Sequence, residues 1–244
     1  MTYVMSDIHG QYDAFLDILQ KIKFSNEDKL YILGDIVDRG NKSFEIYEYI
    51  LSHKNIELIM GNHEKMIVDY AKSVGYDIKN QQKRFLTKHS FNCFHIWMGN
   101  GGTTTFKQLK EKPSEIIEDF INDLSELPYY KKVEINNKKY FLCHSKPIFY
   151  NGFSFNESIE ENIKNEDIIW NRDLYDEIIP ENYIIIHGHT PVYYQNRGEE
   201  NMEDLIYYYP SKNIINIDCG CAGKRKLGCM RLEDEEEFYS NKME

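Results

Sequence analysis

The sequence predicts an α/β fold, because short apolar runs alternate with segments of helical periodicity through its first third. Residues 3–5 have the composition of a strand, and the apolar residues between Tyr12 and Ile22 then recur every three or four positions, as in Phe15, Leu16 and Leu19. The alternation continues with predicted strands at 30–33 and 56–60 and predicted helices at 44–51 and 65–71. Repeated strand–helix units are typical of parallel strand pairing.

A mostly helical insertion is predicted at 76–127. Pro113 suits the start of a helix, and Pro128 lies just past its end. Between the prolines, five apolar residues share one helical face: Ile116, Ile117, Phe120, Ile121 and Leu124. We interpret the segment as a helical cap inserted into the α/β core.

The second half of the chain is rich in predicted strands. Residues 132–135 and 139–143 flank Asn136-Asn137, which favours a tight turn, so they predict a hairpin. Further strands are predicted at 183–186, 214–217 and 230–232. A chain of 244 residues without an internal repeat is long enough for one sizeable core, and we expect residues 1–244 to form a single domain.

The charge balance limits the partners of the chain. Asp and Glu outnumber Lys and Arg by 40 to 29, and a nucleic-acid partner is not expected because it would need a basic surface. No apolar run approaches the roughly 18 residues of a membrane span. The chain lacks a signal-peptide pattern, and its five cysteines are irregularly spaced, so we expect reduced thiols and a cytoplasmic protein.

Five apolar runs end in polar segments that can bind metal or phosphate. These segments are 6–10 (SDIHG), 34–40 (GDIVDRG), 61–64 (GNHE), 143–145 (CHS) and 188–190 (GHT). Each alone is weak evidence, since a histidine after a strand is commonly structural and Gly-Asn favours a turn. Ligands of open α/β sheets gather at the carboxyl ends of strands, so the five segments are predicted to meet in one crevice. Their joint occurrence indicates an active site.

With the segments 97–102 (WMGNGG), 169–172 (IWNR) and 188–191 (GHTP), this ordered set resembles the phosphoprotein phosphatase family of calcineurin-like metallophosphoesterases, in particular its bacterial and bacteriophage lambda type. The resemblance covers nearly the whole chain. It implies two mixed β-sheets packed as a central sandwich, flanked by helices and carrying a helical cap insertion. It also implies two divalent metal ions. Mn is favoured, and Fe or Zn would also suit a mixture of carboxylate, imidazole and amide ligands.

The resemblance implies a ligand set for each ion. The first ion would be held by Asp7, His9 and Asp35, and the second by Asp35, Asn62, His144 and His189. Asp35 would therefore bridge the two ions. His187, two residues before the last ligand, is interpreted as a strand residue because the family's Gly-His motif matches His189.

Four further residues receive catalytic roles from the resemblance. His63 would protonate the departing oxygen, and Asp38 would hold its ring by a hydrogen bond and favour its charged form. Arg39 and Arg172 would bind phosphate oxygens, because a guanidinium presents two parallel donors.

The family likeness favours a serine/threonine protein phosphatase, a metal-dependent monoester hydrolase that acts on a phosphorylated protein or peptide. A symmetrical diadenosine tetraphosphate hydrolase is the nearest alternative, because it shares the metal ligands. The phosphatase is favoured by four features together: Asp38, Glu64, Trp170-Asn171-Arg172 and His189-Thr190-Pro191. The tetraphosphate hydrolase tends to lack the acidic residue found here as Asp38 and to carry Asp in place of Glu64. A third alternative is an inactive phosphopeptide-binding scaffold, which should have lost a ligand or the acid, and none is missing.

The end of the chain departs from the family pattern. Asp218-Cys219-Gly220-Cys221 stands where relatives commonly have Asp-Thr. We do not predict a metal site at these cysteines, because no CxxC pair or nearby histidine completes one. Residues 233–237 (EDEEE) form an acidic run that we interpret as a solvated face.

Overall fold

The described part of the chain forms two five-stranded sheets with helices packed around them. The computed structural model describes residues 1–80, 82–83, 87–148, 165–173, 183–194 and 204–241. The strands are β1 (Thr2–Met5), β2 (Lys29–Ile32), β3 (Ile56–Leu58), β4 (Tyr130–Ile135), β5 (Lys138–Cys143), β6 (Tyr183–His187), β7 (Tyr207–Tyr208), β8 (Ile214–Asn216), β9 (Gly228–Arg231) and β10 (Glu237–Tyr239). The helices are α1 (Tyr12–Lys21), α2 (Ser43–Ser52), α3 (Asn62–Ser73), α4 (Lys88–Gly99), α5 (Thr103–Glu111), α6 (Ser114–Ser125) and α7 (Asp167–Trp170).

Each sheet contains three parallel strands with antiparallel neighbours. The first sheet has the order β10-β9-β1-β2-β3, in which β1, β2 and β3 are parallel. The second has the order β4-β5-β6-β8-β7, in which β5, β6 and β8 are parallel. The α/β fold with two mixed sheets and flanking helices is therefore confirmed, and the carboxyl ends of six parallel strands are available to position a site.

The two sheets pack face to face through a shared apolar core. Val4 of β1 and Leu33, which follows β2, belong to one buried cluster. The same cluster contains three residues of the second sheet: Tyr140, Leu142 and Ile186. The intervening residues of the second sheet face the other way, into a separate cluster that includes Phe141, Cys143 and Ile185. This alternation with a period of two is what a strand with both faces buried requires.

The helices of the segment 76–127 pack on the outer face of the first sheet. Trp97 of α4 and Phe120 of α6 are fully buried in the same cluster as Phe15 of α1 and Ile67 of α3. Their shared core fixes α4 and α5 against the loop that follows β2, so these helices contribute to the site as well as to stability.

Some sequence-based assignments of exposure and strand position were wrong. Leu16 and Ile116, predicted on apolar helix faces, are 37% and 42% exposed. The acidic run is only partly a solvated face, because Glu237 begins β10, which pairs with β9. The two-residue strand β7 was also missed. Among the described helices, none combines the length and apolar character that crossing a membrane would need.

Candidate active site

The predicted ligands lie where the parallel strands end. β1, β2 and β3 lead into Asp7, Asp35 and Asn62, and β5 and β6 lead into His144 and His189. All five side chains are at most 4% exposed. The convergence that the sequence predicts is therefore present, on neighbouring ends of both sheets.

Strained backbone is concentrated at this point. Six of the ten predicted site residues have φ between 48° and 69°: Asp7, His9, Asp35, Asp38, Arg39 and His189. For a non-glycine residue this conformation costs roughly 1 kcal/mol or more and persists only where the surroundings impose it. Hydrogen bonds between adjacent loops impose it here, since the His9 amide donates to the Asp35 carbonyl at 2.8 Å and the Gly40 amide donates to the His9 carbonyl at 2.9 Å. Such clustering is typical of functional sites.

Asp35 lies at the centre of the site. Its Oδ2 atom is 3.5 Å from Nε2 of His9 and 3.5 Å from Nε2 of His144. Burial raises the pKa of Asp35 well above its ordinary value, and the carboxylates of Glu64 and Asp7 raise it further. Cations beside Oδ2 would favour the charged carboxylate that burial disfavours.

Two histidine rings are oriented by backbone carbonyls. Nδ1 of His9 is 2.8 Å from the carbonyl oxygen of Val37, and Nδ1 of His144 is 2.7 Å from that of Leu33. Because a carbonyl only accepts, each Nδ1 carries a proton and each Nε2 presents a lone pair toward Asp35. Burial lowers the pKa of both rings, which keeps them in the neutral form that binds metal.

A second set of candidate metal-ligand atoms surrounds Nε2 of His144. Oδ1 of Asn62 lies 2.9 Å from Nε2 of His144, and Nδ1 of His189 lies 3.1 Å from the same atom. Nε2 of His189 is buried and has no hydrogen-bond partner among the residues that the structure describes. Burial lowers the pKa of His189 as well, so this ring is also neutral.

The separations between these donors fit divalent metal ions. Two ligand atoms that each lie about 2.1 Å from one ion are about 3.0 Å apart at a right angle and about 3.4 Å apart at a tetrahedral angle. Among the described residues, two groups have donor atoms within 4.8 Å of one another, namely His9, Asp35 and His63, and Asp35, His144 and His189. Asp35 belongs to both groups, as a bridging ligand should.

Asp7 lies at the edge of the first group. Its Oδ1 is 4.0 Å from Nε2 of His9, whereas its Oδ2 accepts hydrogen bonds from the Ser6 hydroxyl and the His189 amide. A Cβ atom at position 188 would overlap the Asp7 carboxylate, so Gly188 allows this close approach. His187 ends β6 and belongs to neither donor group.

His63 is held by a buried carboxylate. Its Nδ1 atom lies 2.7 Å from Oδ2 of Asp38, and the indole N–H of Trp97 donates to both Asp38 oxygens at 3.0 Å. Burial lowers the pKa of His63, as does the Arg39 guanidinium, and burial raises the pKa of Asp38 to about 7. The hydrogen bond between His63 and Asp38 is present as expected. Burial, however, disfavours the positive charge of His63 and the negative charge of Asp38, so it opposes the charged form of His63 that was expected.

Glu64 ties the end of β2 to the start of α3. Its carboxylate accepts hydrogen bonds from the amides of Asp35 at 2.8 Å, Ile36 at 2.9 Å and Gly61 at 3.1 Å. A Cβ atom at position 61 would overlap the carboxylates of both Asp35 and Glu64, which explains the glycine. The His63 amide then donates to Oδ1 of Asp35 at 3.0 Å, which fixes the carboxylate.

Both predicted phosphate-binding arginines line one cavity of about 630 Å³. Arg39 donates to Nε2 of His9 at 2.9 Å and of His63 at 3.1 Å, and Arg172 donates to the His189 carbonyl at 3.0 Å. Among the described residues, the rest of the lining is formed by His189, Thr190, Pro191, Tyr193 and Tyr194. The cavity thus adjoins the ligand candidate His189 and carries the positive charge of both arginines.

Sequence reasoning missed other residues of the site. Thr105, whose hydroxyl oxygen accepts from the Asp38 amide at 2.8 Å, lies outside every motif that was recognised. Asp218 follows β8, the sixth parallel strand end, and burial together with the charge of Asp7 raises its pKa. Asp218 could therefore have been predicted in the same way as the other site residues, as a polar residue that follows the carboxyl end of a parallel strand. No pattern pointed to Tyr193 or Tyr194.

The family assignment rests on a match that spans most of the chain. The model of the calcineurin-like phosphoesterases matches residues 2–216. The chain belongs to this family. Membership implies divalent metal ions, and the donor groups around Asp35 provide ligands of the right kind.

Two relatives of this chain carry the same name. The symmetrical bis(5'-nucleosyl)-tetraphosphatase of Buchnera aphidicola subsp. Baizongia pistaciae is 24% identical, over 97% of this chain and 96% of that protein. The protein of the same name from Pasteurella multocida is 38% identical over 72 residues, which are 29% of this chain and 26% of that protein.

Solved structures support the fold. A provisionally assigned diadenosine tetraphosphatase superposes with a TM-score of 0.61 at 15% identity, covering 98% of this chain and 91% of that one. A protein serine/threonine phosphatase from Saccharomyces cerevisiae gives a TM-score of 0.56 at 16% identity, covering 100% of this chain and 80% of that one. At these identities both likenesses concern the architecture alone.

The expectation of a serine/threonine protein phosphatase was wrong. A relative matched over nearly its whole length is a symmetrical tetraphosphatase, which was the alternative. Asp38 and Glu64 were among the residues that had favoured the phosphatase, but both are fully buried, and they hydrogen-bond to His63 and to the Asp35 amide. A buried residue that positions its neighbours does not read the group attached to the phosphate.

Proposed function

We propose that this chain hydrolyses dinucleoside tetraphosphates symmetrically, cleaving the central phosphoanhydride of a substrate such as diadenosine tetraphosphate to give two nucleoside diphosphates. The observation that carries the proposal is the likeness to a symmetrical bis(5'-nucleosyl)-tetraphosphatase over 97% of this chain. The cavity supports it, because its lining includes both guanidinium groups and tyrosine rings, which suit a polyphosphate joined to a base. We therefore propose a dinucleotide substrate in place of a phosphorylated protein.

The residues around Asp35 would hold two metal ions. In this proposal Asp7, His9 and Asp35 bind the first ion, and Asp35, Asn62, His144 and His189 bind the second. Carboxylate and amide oxygens beside neutral imidazoles suit Mn as well as Fe or Zn, and we propose Mn as the bound ion. Bound ions would supply the Lewis acidity that activates water and polarises the phosphoryl oxygens.

Arg39 and Arg172 bind and orient the phosphate chain. Each guanidinium offers parallel N–H donors that match two phosphate oxygens. Their positive charge also attracts a polyanion to a protein whose net charge is −11. Since Arg39 donates to the lone pair of His9 at 2.9 Å, it must turn toward the cavity when that lone pair binds a cation.

His63 assists the departing nucleoside diphosphate. Asp38 holds the His63 ring through Nδ1. The opposite nitrogen, Nε2, therefore faces the candidate metal ligands and lies 3.8 Å from Oδ2 of Asp35. A phosphate oxygen is a weaker base than the alkoxide of serine or threonine, so its departure needs less proton transfer.

Product analysis tests the proposal. The purified protein, loaded with Mn²⁺, is incubated with diadenosine tetraphosphate, and the nucleotides are separated by anion-exchange chromatography. We expect ADP alone and a higher kcat/KM than for any member of a phosphopeptide panel. A mixture of AMP and ATP, or efficient turnover of phosphopeptides without cleavage of the dinucleotide, would overturn the proposal.

The five free cysteines fit a reducing compartment, and we propose that the reaction occurs in the cytoplasm.

A further inference from the structure

A pair of tyrosines follows the last metal-ligand candidate in the chain. After Pro191, the 3₁₀ turn Val192–Tyr194 presents the rings of Tyr193 and Tyr194, whose centroids are 4.4 Å apart and whose planes are inclined by 40°. Tyr194 is 39% exposed, and both rings line the cavity that Arg39 and Arg172 also line. We call this pair the tyrosine platform.

Contacts with neighbouring residues hold the tyrosine platform in place. Val192 is fully buried, and its amide donates to the Asp218 carbonyl at 2.9 Å. The Arg225 guanidinium lies 4.5 Å from the centre of the Tyr193 ring, and Asp204 forms an ion pair with Arg225. Aromatic faces held in this way lose little conformational freedom when a flat ligand stacks on them.

The cavity combines two kinds of chemistry. Among the described residues, its lining includes the guanidinium groups of Arg39 and Arg172, and also Pro191 and the tyrosine platform. A volume of about 630 Å³ lies within the range for small-molecule sites. A ligand that complements both kinds of group has a chain of phosphates joined to a flat aromatic group, which describes a nucleotide.

We propose that the tyrosine platform is the nucleobase subsite of this enzyme, on which one base of the bound nucleotide stacks against Tyr194 while its phosphates extend toward Arg39 and Arg172. The inference rests on the proposed function for the identity of the substrate. Every base has a π face, so stacking tolerates different bases, and the subsite selects nucleotides over base-free phosphates.

The test compares a ligand that has a base with one that lacks it. Isothermal titration calorimetry measures the dissociation constants of ADP and of pyrophosphate for the metal-loaded full-length protein and for Tyr194→Ala and Tyr194→Phe. Removing a stacking ring weakens ADP binding by about five- to a hundredfold. We expect that loss in Tyr194→Ala, a change of less than about twofold for pyrophosphate, and near wild-type ADP affinity in Tyr194→Phe, which keeps the ring.

A matched control comes from another exposed tyrosine. Tyr76 is 37% exposed but lines a different cavity, so Tyr76→Ala is expected to bind both ligands as the wild type does. Equal loss of ADP and pyrophosphate affinity in Tyr194→Ala, or unchanged ADP affinity, would overturn the inference. Because these constants are measured without turnover, that result is distinct from failure to cleave diadenosine tetraphosphate, which counts against the proposed function.

Discussion

Replacing Trp97 by Phe removes the donor that holds Asp38 beneath His63. The indole N–H donates to both Asp38 oxygens at 3.0 Å, and Asp38 and Trp97 are fully buried, so water is not expected to replace it. A hydrogen bond to a charged group contributes about 1.5–3 kcal/mol. The smaller ring also loses roughly 40 Å² of buried apolar surface, or about 1 kcal/mol. Trp97→Phe should therefore lower the free energy of unfolding by about 2–4 kcal/mol.

Urea denaturation of the metal-free protein measures this loss, and the second tryptophan of the chain provides the control. Trp170 is 39% exposed, so Trp170→Phe should change the free energy of unfolding by less than about 0.5 kcal/mol. Hydrolysis of phenyl phosphate should also slow in Trp97→Phe, by up to about 100-fold if the whole hydrogen bond is felt in the transition state. A loss of stability below about 1 kcal/mol, with an unchanged rate, would refute the reasoning.

Further predictions concern the acid and a surface ion pair. His63→Asn should slow hydrolysis of phenyl phosphate by about 10²–10⁴, but that of p-nitrophenyl phosphate much less, because nitrophenolate departs with little protonation; equal losses would contradict an acid role. Burial opposes ionisation of Glu57, yet hydrogen bonds from Lys131 and Lys29 outweigh it and lower its pKa. This stabilisation is present above the unfolded pKa and is lost as the pH falls through the folded one. Glu57→Gln should therefore lower the free energy of unfolding by up to about 1 kcal/mol at pH 7 and by almost nothing below about pH 3. Thermal melts at both pH values measure this difference. A loss of stability that did not depend on pH would contradict the prediction.

Much of the site follows from the sequence, because the carboxyl ends of parallel strands meet by geometry. Once Met5, Ile32 and Cys143 are recognised as strand ends, the polar residues after them must be neighbours. Apolar periodicity gives those ends directly, since strands with both faces buried read as continuous apolar runs. For this reason the ligand candidates Asp7, Asp35 and His144 come together as expected.

Features that depend on tertiary contacts were not predictable. Glu237–Tyr239 is a strand only because β9 supplies its hydrogen bonds and Phe238 packs on the Tyr3 ring at 6.1 Å. The burial of Asp38 depends on Trp97, which lies 59 positions away in sequence. Substrate choice was mistaken for a related reason. The residues that suggested a phosphatase belong to the shared site or border it, whereas substrate choice depends on the loops around such a site.

Metal content tests most directly whether the Asp35 carboxylate binds two ions. Asp35→Asn keeps the size of the side chain but removes the charge that lies 3.5 Å from both His9 and His144. After loading with Mn²⁺ and removal of free metal, elemental analysis should find two ions per wild-type chain and fewer than one per Asp35→Asn chain, with hydrolysis of diadenosine tetraphosphate lost. An Asp35→Asn protein that retained two ions and the wild-type rate would contradict the account.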